Sequence, residues 1–201
     1  MSKRLLNLFD QPRGIVSRSN DEFSSILCHE LHGNILTYPS GFKVGSWIVP
    51  HSWELIEASL VIGDRVYSSL DNPLLVPFGT SSFTKIGNLL ELKKYFVYDI
   101  QNPDKVLYTT NYYTPDNYKI SIPYNWINLL DDSTAVKINV NAKHGDGNLN
   151  IVESVIPGKS PSEILLTSYN CHPGLGNDNF SGNLVLSNLF NKLKKCSPYY
   201  K

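Results

Sequence analysis

Two segments of the chain carry apolar side chains at the spacing of an amphipathic α-helix. The first covers about residues 21–31, where Asn20 or Asp21 can cap the start and Gly33 can end the helix. The second lies shortly before Pro198, which cannot continue a helix. The apolar positions are Phe23, Ile26, Leu27 and Leu31 in the first segment, and Leu184, Val185, Leu186, Leu189, Phe190 and Leu193 in the second.

The central part of the chain has the pattern of short β-strands separated by turns. Residues 47–49, 55–62 and 95–98 are rich in β-branched and aromatic side chains, and clusters of Pro, Gly, Asn and Asp lie between them. Turns at this spacing from about residue 35 to residue 122 are typical of a β-sandwich or a barrel-like unit. A short helix is predicted within this region at 89–94.

From about Trp126 onward the order of elements changes. Residues 135–140 alternate apolar and polar side chains, as a half-buried strand does. Further strands are predicted at 149–156 and 163–170, with a Pro/Gly turn between them. The last strand leads through a loop into the second helix, so this section has the order of an α/β fold.

The loop between the last predicted strand and the second helix carries the candidate chemistry. His172 stands where the strand should end, and Asp178 follows across a loop that contains Gly174 and Gly176. Ligands bind α/β folds at the carboxyl ends of strands, and glycines allow the reversal that lets both side chains face one point. A neutral imidazole and a carboxylate are common zinc ligands. The alternative is that Asp178 or a neighbouring asparagine caps the helix and that His172 is an ordinary turn histidine.

Charge and cysteine content restrict the class of protein. The 201 residues include 18 Lys and Arg and 18 Asp and Glu, which gives no electrostatic argument for nucleic acid or an anionic membrane as a partner. The chain has no run of about 18 apolar residues, so no membrane span is expected. Cys28, Cys171 and Cys196 form no CxxC pair, so reduced thiols and a cytoplasmic location are expected. Cys171 could be a nucleophile, but no Asp or Asn partner is placed for it, and a buried structural thiol is the preferred interpretation.

Three motifs resemble those of one protein family. They are the Leu149–Gly158 segment, the Cys-His-Pro at 171–173 and the Asp-Asn-Phe-Ser-Gly at 178–182. Together they resemble the co-catalytic zinc aminopeptidase superfamily, and within it the bacterial aminopeptidase-like domain proteins that carry an inserted β-domain. Further matches extend the resemblance over about residues 18–195, namely Tyr38–Gly41, the Trp47–Trp53 segment, Tyr112-Tyr113, Ile122-Pro123 and Asp146–Leu149.

The resemblance implies a fold class and a domain organisation. The expected class is α/β, with a zinc-exopeptidase-like mixed sheet and helices, interrupted by an inserted all-β subdomain. Residues 1–44 would be the N-terminal part of the peptidase-like domain, residues 45–125 the inserted subdomain and residues 126–201 the α/β core. The C-terminal part of that core is expected to be missing, so the chain is expected to be the N-terminal part of a longer protein.

The resemblance also implies a metal site and a reaction. His172 would ligate one zinc ion and Asp178 would bridge two, and the pair of ions would activate water for attack on a peptide or amide substrate. In most of the superfamily a His-x-Asp aspartate orients the histidine, but this chain has Gly174 at that position. The general base and the remaining ligands lie further downstream in the family, so the catalytic residues stay unknown and this chain alone is expected to be inactive.

Two other functions fit the same sequence. A non-catalytic module could keep the fold and bind a peptide or a glycan, or act as a scaffold, since Gly174 replaces the orienting residue and the downstream ligands are missing. An inactive, truncated gene product is the third possibility, and it would expose unpaired apolar strand edges. Zinc content after purification separates the first hypothesis from the second.

Overall fold

The computed structural model describes residues 3–110 and 117–201. The chain divides into two compact units, which we call the discontinuous unit (residues 1–52 and 146–201) and the continuous unit (residues 53–145). The mixed α/β class is confirmed, with several small sheets. The predicted subdomain bounds of 45 and 125 stay a prediction, and Tyr112-Tyr113 lies outside the described residues.

The first predicted helix is confirmed as α2 (Arg18–Leu31), three residues longer at its start than expected. The Ser17 hydroxyl caps it by accepting a hydrogen bond from the Asn20 amide at 3.2 Å, so the cap lies upstream of the asparagine that the sequence suggested. At its other end His32 adopts the left-handed conformation with φ of 48°, and the Gly33 amide donates to the Cys28 carbonyl at 3.0 Å. These bonds satisfy terminal groups that the helix itself leaves unpaired.

The discontinuous unit packs α2 against a two-stranded antiparallel sheet. Its strands are β1 (Asn34–Pro39) and β10 (Asn148–Glu153), and the Asn150 side chain donates to Asp21 Oδ1 of α2 at 2.7 Å. The unit also contains the short hairpin of β2 (Lys43–Val44) and β3 (Trp47–Ile48), and the helices α1 (Lys3–Asn7) and α4 (Ser181–Leu193). A small apolar cluster joins these helices and consists of Leu5, Leu8, Phe23, Leu27 and Phe180.

The strand predicted at 163–170 is wrong. Among the described residues this segment pairs with no strand, and its Ile164, Leu165 and Leu166 side chains are 60%, 86% and 47% exposed. The Ile164 amide donates to the Lys201 carbonyl at 2.9 Å and the Lys201 amide donates to the Ser162 carbonyl at 3.1 Å, but no such bonds with Lys201 continue along residues 165–170. An apolar run specifies the tendency to be buried, whereas a strand also requires a neighbour that offers hydrogen bonds along its length.

The continuous unit is built on one four-stranded sheet of order β5–β4–β9–β6. Its inner face is apolar, and the alternation predicted for β9 is confirmed because Val136, Ile138 and Val140 are all buried. The opposite positions of β9 and β6 face outward, where Thr84 donates to the side chain of Asn139 at 2.8 Å. The strands are β4 (Ser52–Ile62), β5 (Arg65–Ser68), β6 (Phe83–Asn88) and β9 (Ala135–Gly145).

The expectation of a sandwich or barrel is wrong for residues 53–110 and 117–145. Helix α3 (Leu89–Leu92), loop residues 75–78 and the parallel pair of β7 (Phe96–Val97) and β8 (Ile120–Ser121) supply the buried apolar side chains that cover the sheet. Turn spacing therefore predicted short strands correctly, but it did not show that loops would provide the second layer. In the described part of the chain no helix has the length and hydropathy to cross a membrane.

Candidate functional site

The structure brings His172 and Asp178 together, as the sequence predicted. His172 Nε2 lies 4.0 Å from Asp178 Oδ2, with the two side chains 17% and 57% exposed. Gly174 has a φ of 59°, which allows the chain to reverse between them. Zinc binds nitrogen and carboxylate oxygen at about 2.0–2.2 Å, so two such ligands can be at most about 4.2 Å apart. The pair is within this limit, and tetrahedral coordination requires the two atoms to lie closer together.

The backbone orients the imidazole of His172. Its Nδ1 lies 2.9 Å from the Cys171 carbonyl oxygen. A carbonyl can only accept, so Nδ1 carries the proton in this contact, and the lone pair of the neutral ring is on Nε2. Histidines that ligate metals commonly donate their other nitrogen in this way. The Cys171 carbonyl therefore offers the orienting contact that Gly174 cannot.

Tyr169 holds the other oxygen of Asp178. Its hydroxyl donates to Asp178 Oδ1, and this hydrogen bond raises the pKa of the Tyr169 phenol. The Tyr169 and His172 rings pack edge to face with their centroids 5.8 Å apart. Asp178 thus directs Oδ2 towards the histidine while Oδ1 is occupied, and bridging two metal ions would require Tyr169 to release Oδ1. The role of Tyr169 could not be predicted from the sequence, because nothing in the spacing distinguishes it from a packing tyrosine.

The environment of Cys171 argues against a nucleophilic thiolate. Burial raises the pKa of the thiol to about 11, and the nearby charge of Asp178 acts in the same direction, while Arg13 opposes it. The sulfur lies 3.8 Å from His172 Nε2. With the pKa above its ordinary value, the thiol is protonated at neutral pH, and this favours the structural interpretation.

Arg13 reaches the site from far away in the sequence. Its side chain is buried, and its guanidinium donates to the His172 carbonyl at 2.8 Å and to the Leu8 carbonyl. The group also lies over the rings of Phe23 and Phe180, at 4.9 Å and 5.6 Å from their centroids. Burial lowers its pKa to about 10, so it stays charged at neutral pH. The sequence offered no signal for this role, because an isolated arginine before a glycine is typical of a surface turn.

Within residues 3–110 and 117–201 no group of three or more His, Cys, Asp and Glu side chains is arranged to hold a metal ion. His172 and Asp178 therefore form a pair of potential ligands and not a complete shell. Their donor types and separation fit zinc, and their orientation by Cys171 and Tyr169 fits a prepared site.

The fold matches a crystal structure from Clostridium acetobutylicum described as a "putative peptidase", with a TM-score of 0.87 and 30% identity over 98% of this chain and 46% of that chain. A sequence from the same organism, named "Putative polysaccharide biosynthesis protein with aminopeptidase-like domain", is 32% identical over 96% of this chain and 44% of its own length. The chain thus spans less than half the length of both relatives.

The names of these relatives confirm the resemblance to a peptidase-like family. A family model matches residues 3–201, almost the entire sequence. This chain belongs to the family described as "Domain of unknown function (DUF4910)".

Proposed function

We propose that this chain supplies part of a zinc-dependent, aminopeptidase-like hydrolase of peptide or amide bonds, with His172 and Asp178 as metal ligands. The observation that carries the proposal is the 4.0 Å separation of His172 Nε2 and Asp178 Oδ2. It is supported by the names of the two relatives, which describe a peptidase and an aminopeptidase-like domain. The resemblance of the 149–182 segment to co-catalytic zinc aminopeptidases adds the expectation of two zinc ions in the whole protein.

Each residue of the site has a separate task in this proposal. His172 offers the Nε2 lone pair, and the Cys171 carbonyl fixes the ring by accepting from Nδ1. Asp178 offers Oδ2, and Tyr169 fixes the carboxylate through Oδ1. When bound, zinc supplies Lewis acidity towards a carbonyl and a lowered pKa for water. The described residues contribute the ligands and their orientation, and the general base remains unassigned.

The substrate class follows from the relatives. A peptide with a free N-terminus is the first candidate, because one relative is named for its aminopeptidase-like domain. The same name mentions polysaccharide biosynthesis, so the amide of an N-acylated amino sugar is the second candidate. Both substrates carry the amide carbonyl that a zinc-activated water attacks.

A non-catalytic binding module is the second candidate function. It is favoured by Gly174, which stands where most of the superfamily has the aspartate that orients the metal-ligating histidine. In this reading His172 and Asp178 stabilise the loop, and the chain binds a peptide or a glycan without hydrolysing it.

Zinc titration of the purified chain tests the proposal. Zinc affinity, measured by competition with a chromophoric chelator, should fall at least about tenfold in His172→Ala and in Asp178→Asn. The chain provides a matched control in His51 and Asp146, a second His–Asp pair whose Nδ1 and Oδ1 lie 3.0 Å apart on the surface. His51→Ala and Asp146→Asn should leave zinc affinity unchanged.

The same variants separate the two candidate functions. In the whole protein, hydrolysis of an aminoacyl anilide and of an N-acetylated amino sugar should depend on zinc and on Asp178 if the protein is a hydrolase. Zinc affinity that is equal in the wild type and in Asp178→Asn would sink the metal proposal. Peptide or glycan binding that persists without zinc would then support the binding module.

A further inference from the structure

Arg13 is a buried cation whose charge is not used by the proposed site. It is 1% exposed, and among the described residues no carboxylate lies within salt-bridge distance of it. Its Nε has no hydrogen-bond partner there either. Burying a charge without a direct ion pair is costly, and two main-chain carbonyls, two aromatic rings and the nearby charge of Asp10 offset the cost here. The free-energy cost of burying this charge suggests that Arg13 does more than fill space in the core.

The guanidinium joins two distant parts of the chain. One amino group donates to the Leu8 carbonyl and the other to the His172 carbonyl. A second bond runs in parallel, because the Gly174 amide donates to the Phe9 carbonyl at 2.8 Å. The N-terminal segment 8–13 therefore holds the main chain on both sides of Pro173.

Aromatic packing holds the N-terminal segment 8–13 against the turn that carries Asp178. The Phe9 ring packs edge to face on Phe180 at 5.2 Å between centroids, and Phe23 of α2 contacts Phe180 at 6.0 Å. Phe180 follows Asp178 by two residues in the turn that leads into α4. The chain segments that carry both candidate ligands thus contact one cluster, which consists of Arg13, Phe9, Phe23 and Phe180.

We propose that Arg13 is a positioning residue that fixes the main chain of His172 and thereby keeps Nε2 directed at Asp178. The role of His172 as a metal ligand rests on the proposed function, whereas its orientation by Arg13 does not. The planar fork of arginine donates two hydrogen bonds in fixed directions, and neither lysine nor a neutral side chain reproduces this geometry. Loss of the fork frees the peptide after His172 to rotate, and the imidazole turns with it.

Three variants test this inference. Arg13→Met keeps the length of the apolar stem and removes the donors and the charge, and Arg13→Lys keeps the charge without the fork. Arg18→Met is the matched control, since Arg18 is exposed at the start of α2. The first measurement is the NMR signal of the His172 ring in the metal-free protein, assigned with His172→Ala. The second is zinc affinity, with zinc alone as the probe.

The expected results are specific to Arg13. The His172 ring signal should shift or broaden in Arg13→Met and move less in Arg13→Lys, while Arg18→Met leaves it in place. Zinc affinity should fall about tenfold or more in Arg13→Met.

A folded Arg13→Met protein with an unchanged His172 signal would overturn the inference. If Arg13→Met does not fold, an unchanged signal in Arg13→Lys overturns it equally, and loss of the fold in both variants would assign Arg13 a purely structural role. Failure of the wild type to bind zinc would overturn the proposed function alone, because the ring signal is read without metal.

Discussion

The two compact units are stabilised in different ways. In the continuous unit a large apolar core lies on the inner face of the sheet and extends through α3 and the loops that cover it. The discontinuous unit has a small apolar cluster. Its distant segments are instead joined by polar contacts, from Arg13 to the His172 carbonyl, from Asn170 to Asn20 and from Asn150 to Asp21.

These two kinds of contact affect different properties of the molecule, namely the stability of a unit and the position of particular groups within it. The hydrophobic driving force is non-directional, so burial of apolar surface contributes mainly to the stability of a unit. Hydrogen bonds to main-chain carbonyls are directional and define where a particular peptide lies. The candidate ligands His172 and Asp178 lie in the unit where directional contacts dominate. We therefore expect substitutions in the continuous unit to change stability most, and substitutions near Arg13 to change the site.

Truncation of the core should give the largest effect. Ile138 is fully buried on β9, and Ile138→Ala removes apolar atoms and leaves a cavity, which should lower the free energy of unfolding by about 2–5 kcal/mol. The matched control is Ile86→Ala on the neighbouring strand β6, where the side chain is 74% exposed and the expected loss is below about 0.5 kcal/mol. Urea denaturation measures both. Equal losses in the two variants would contradict the importance of the core.

Adding a methyl group at Gly33, between α2 and the sheet of β1 and β10, should lower the free energy of unfolding by an intermediate amount. A Cβ atom at Gly33 would lie 2.4 Å from the Glu153 carbonyl oxygen and 2.3 Å from Ser154 Oγ, so the backbone of β10 would have to move. Gly33→Ala should therefore cost about 1–3 kcal/mol in thermal or denaturant unfolding. A Cβ at Gly176 meets nothing within 4 Å, and Gly176→Ala is the control. If Gly33→Ala leaves the free energy of unfolding unchanged, the discontinuous unit is packed less closely than described.

The ionisation of Cys171 should give the smallest effect, and one that depends on pH. Because burial raises the pKa of the folded thiol from about 9 to about 11, the folded state binds the proton more tightly than the unfolded state. This stabilising contribution is complete below about pH 9 and is lost as the pH rises towards about 11. Cys171→Ala should remove that part of the pH dependence, and Cys196→Ala, at an exposed cysteine, should retain it.

Alkylation provides a second measurement of the same property. At pH 8 a thiol with a pKa of about 11 has about 100-fold less thiolate than one with a pKa of 9. Iodoacetamide should therefore modify Cys171 far more slowly than exposed Cys196, as followed by mass spectrometry. Equal rates at the two cysteines would contradict the burial of Cys171 and with it the close packing around His172.

Local patterns in the sequence predicted most of the regular elements. Helical spacing located α2 and α4, and alternation located β9, because amphipathic periodicity depends on side chains near one another in the chain. The capping of α2 was less predictable, since Ser17 and Asn20 are both good capping residues and the structure uses Ser17. The pairing of His172 with Asp178 was predicted from the glycines between them and from the family resemblance.

The errors arose where distant segments decide the outcome. Residues 163–170 have the composition of a buried strand but pair with no strand among the described residues. The covering layer of the four-stranded sheet comes from α3, loops and the short β7–β8 pair instead of a second large sheet. Neither result can be derived from periodicity, because hydrogen bonding and coverage depend on which segments meet in three dimensions.

By itself the sequence determined the helices α2, α3 and α4, the strands β3, β4, β7, β9 and β10, and the loop that presents His172 and Asp178, since each of these depends on neighbouring residues. Only the tertiary structure decided how that loop is held. Arg13 lies at the opposite end of the chain from His172, and its role depends on the direction of a single carbonyl and on two aromatic rings. Local propensity contains no information about such a contact, because it forms only when the N-terminal segment, α2 and the loop before α4 pack together.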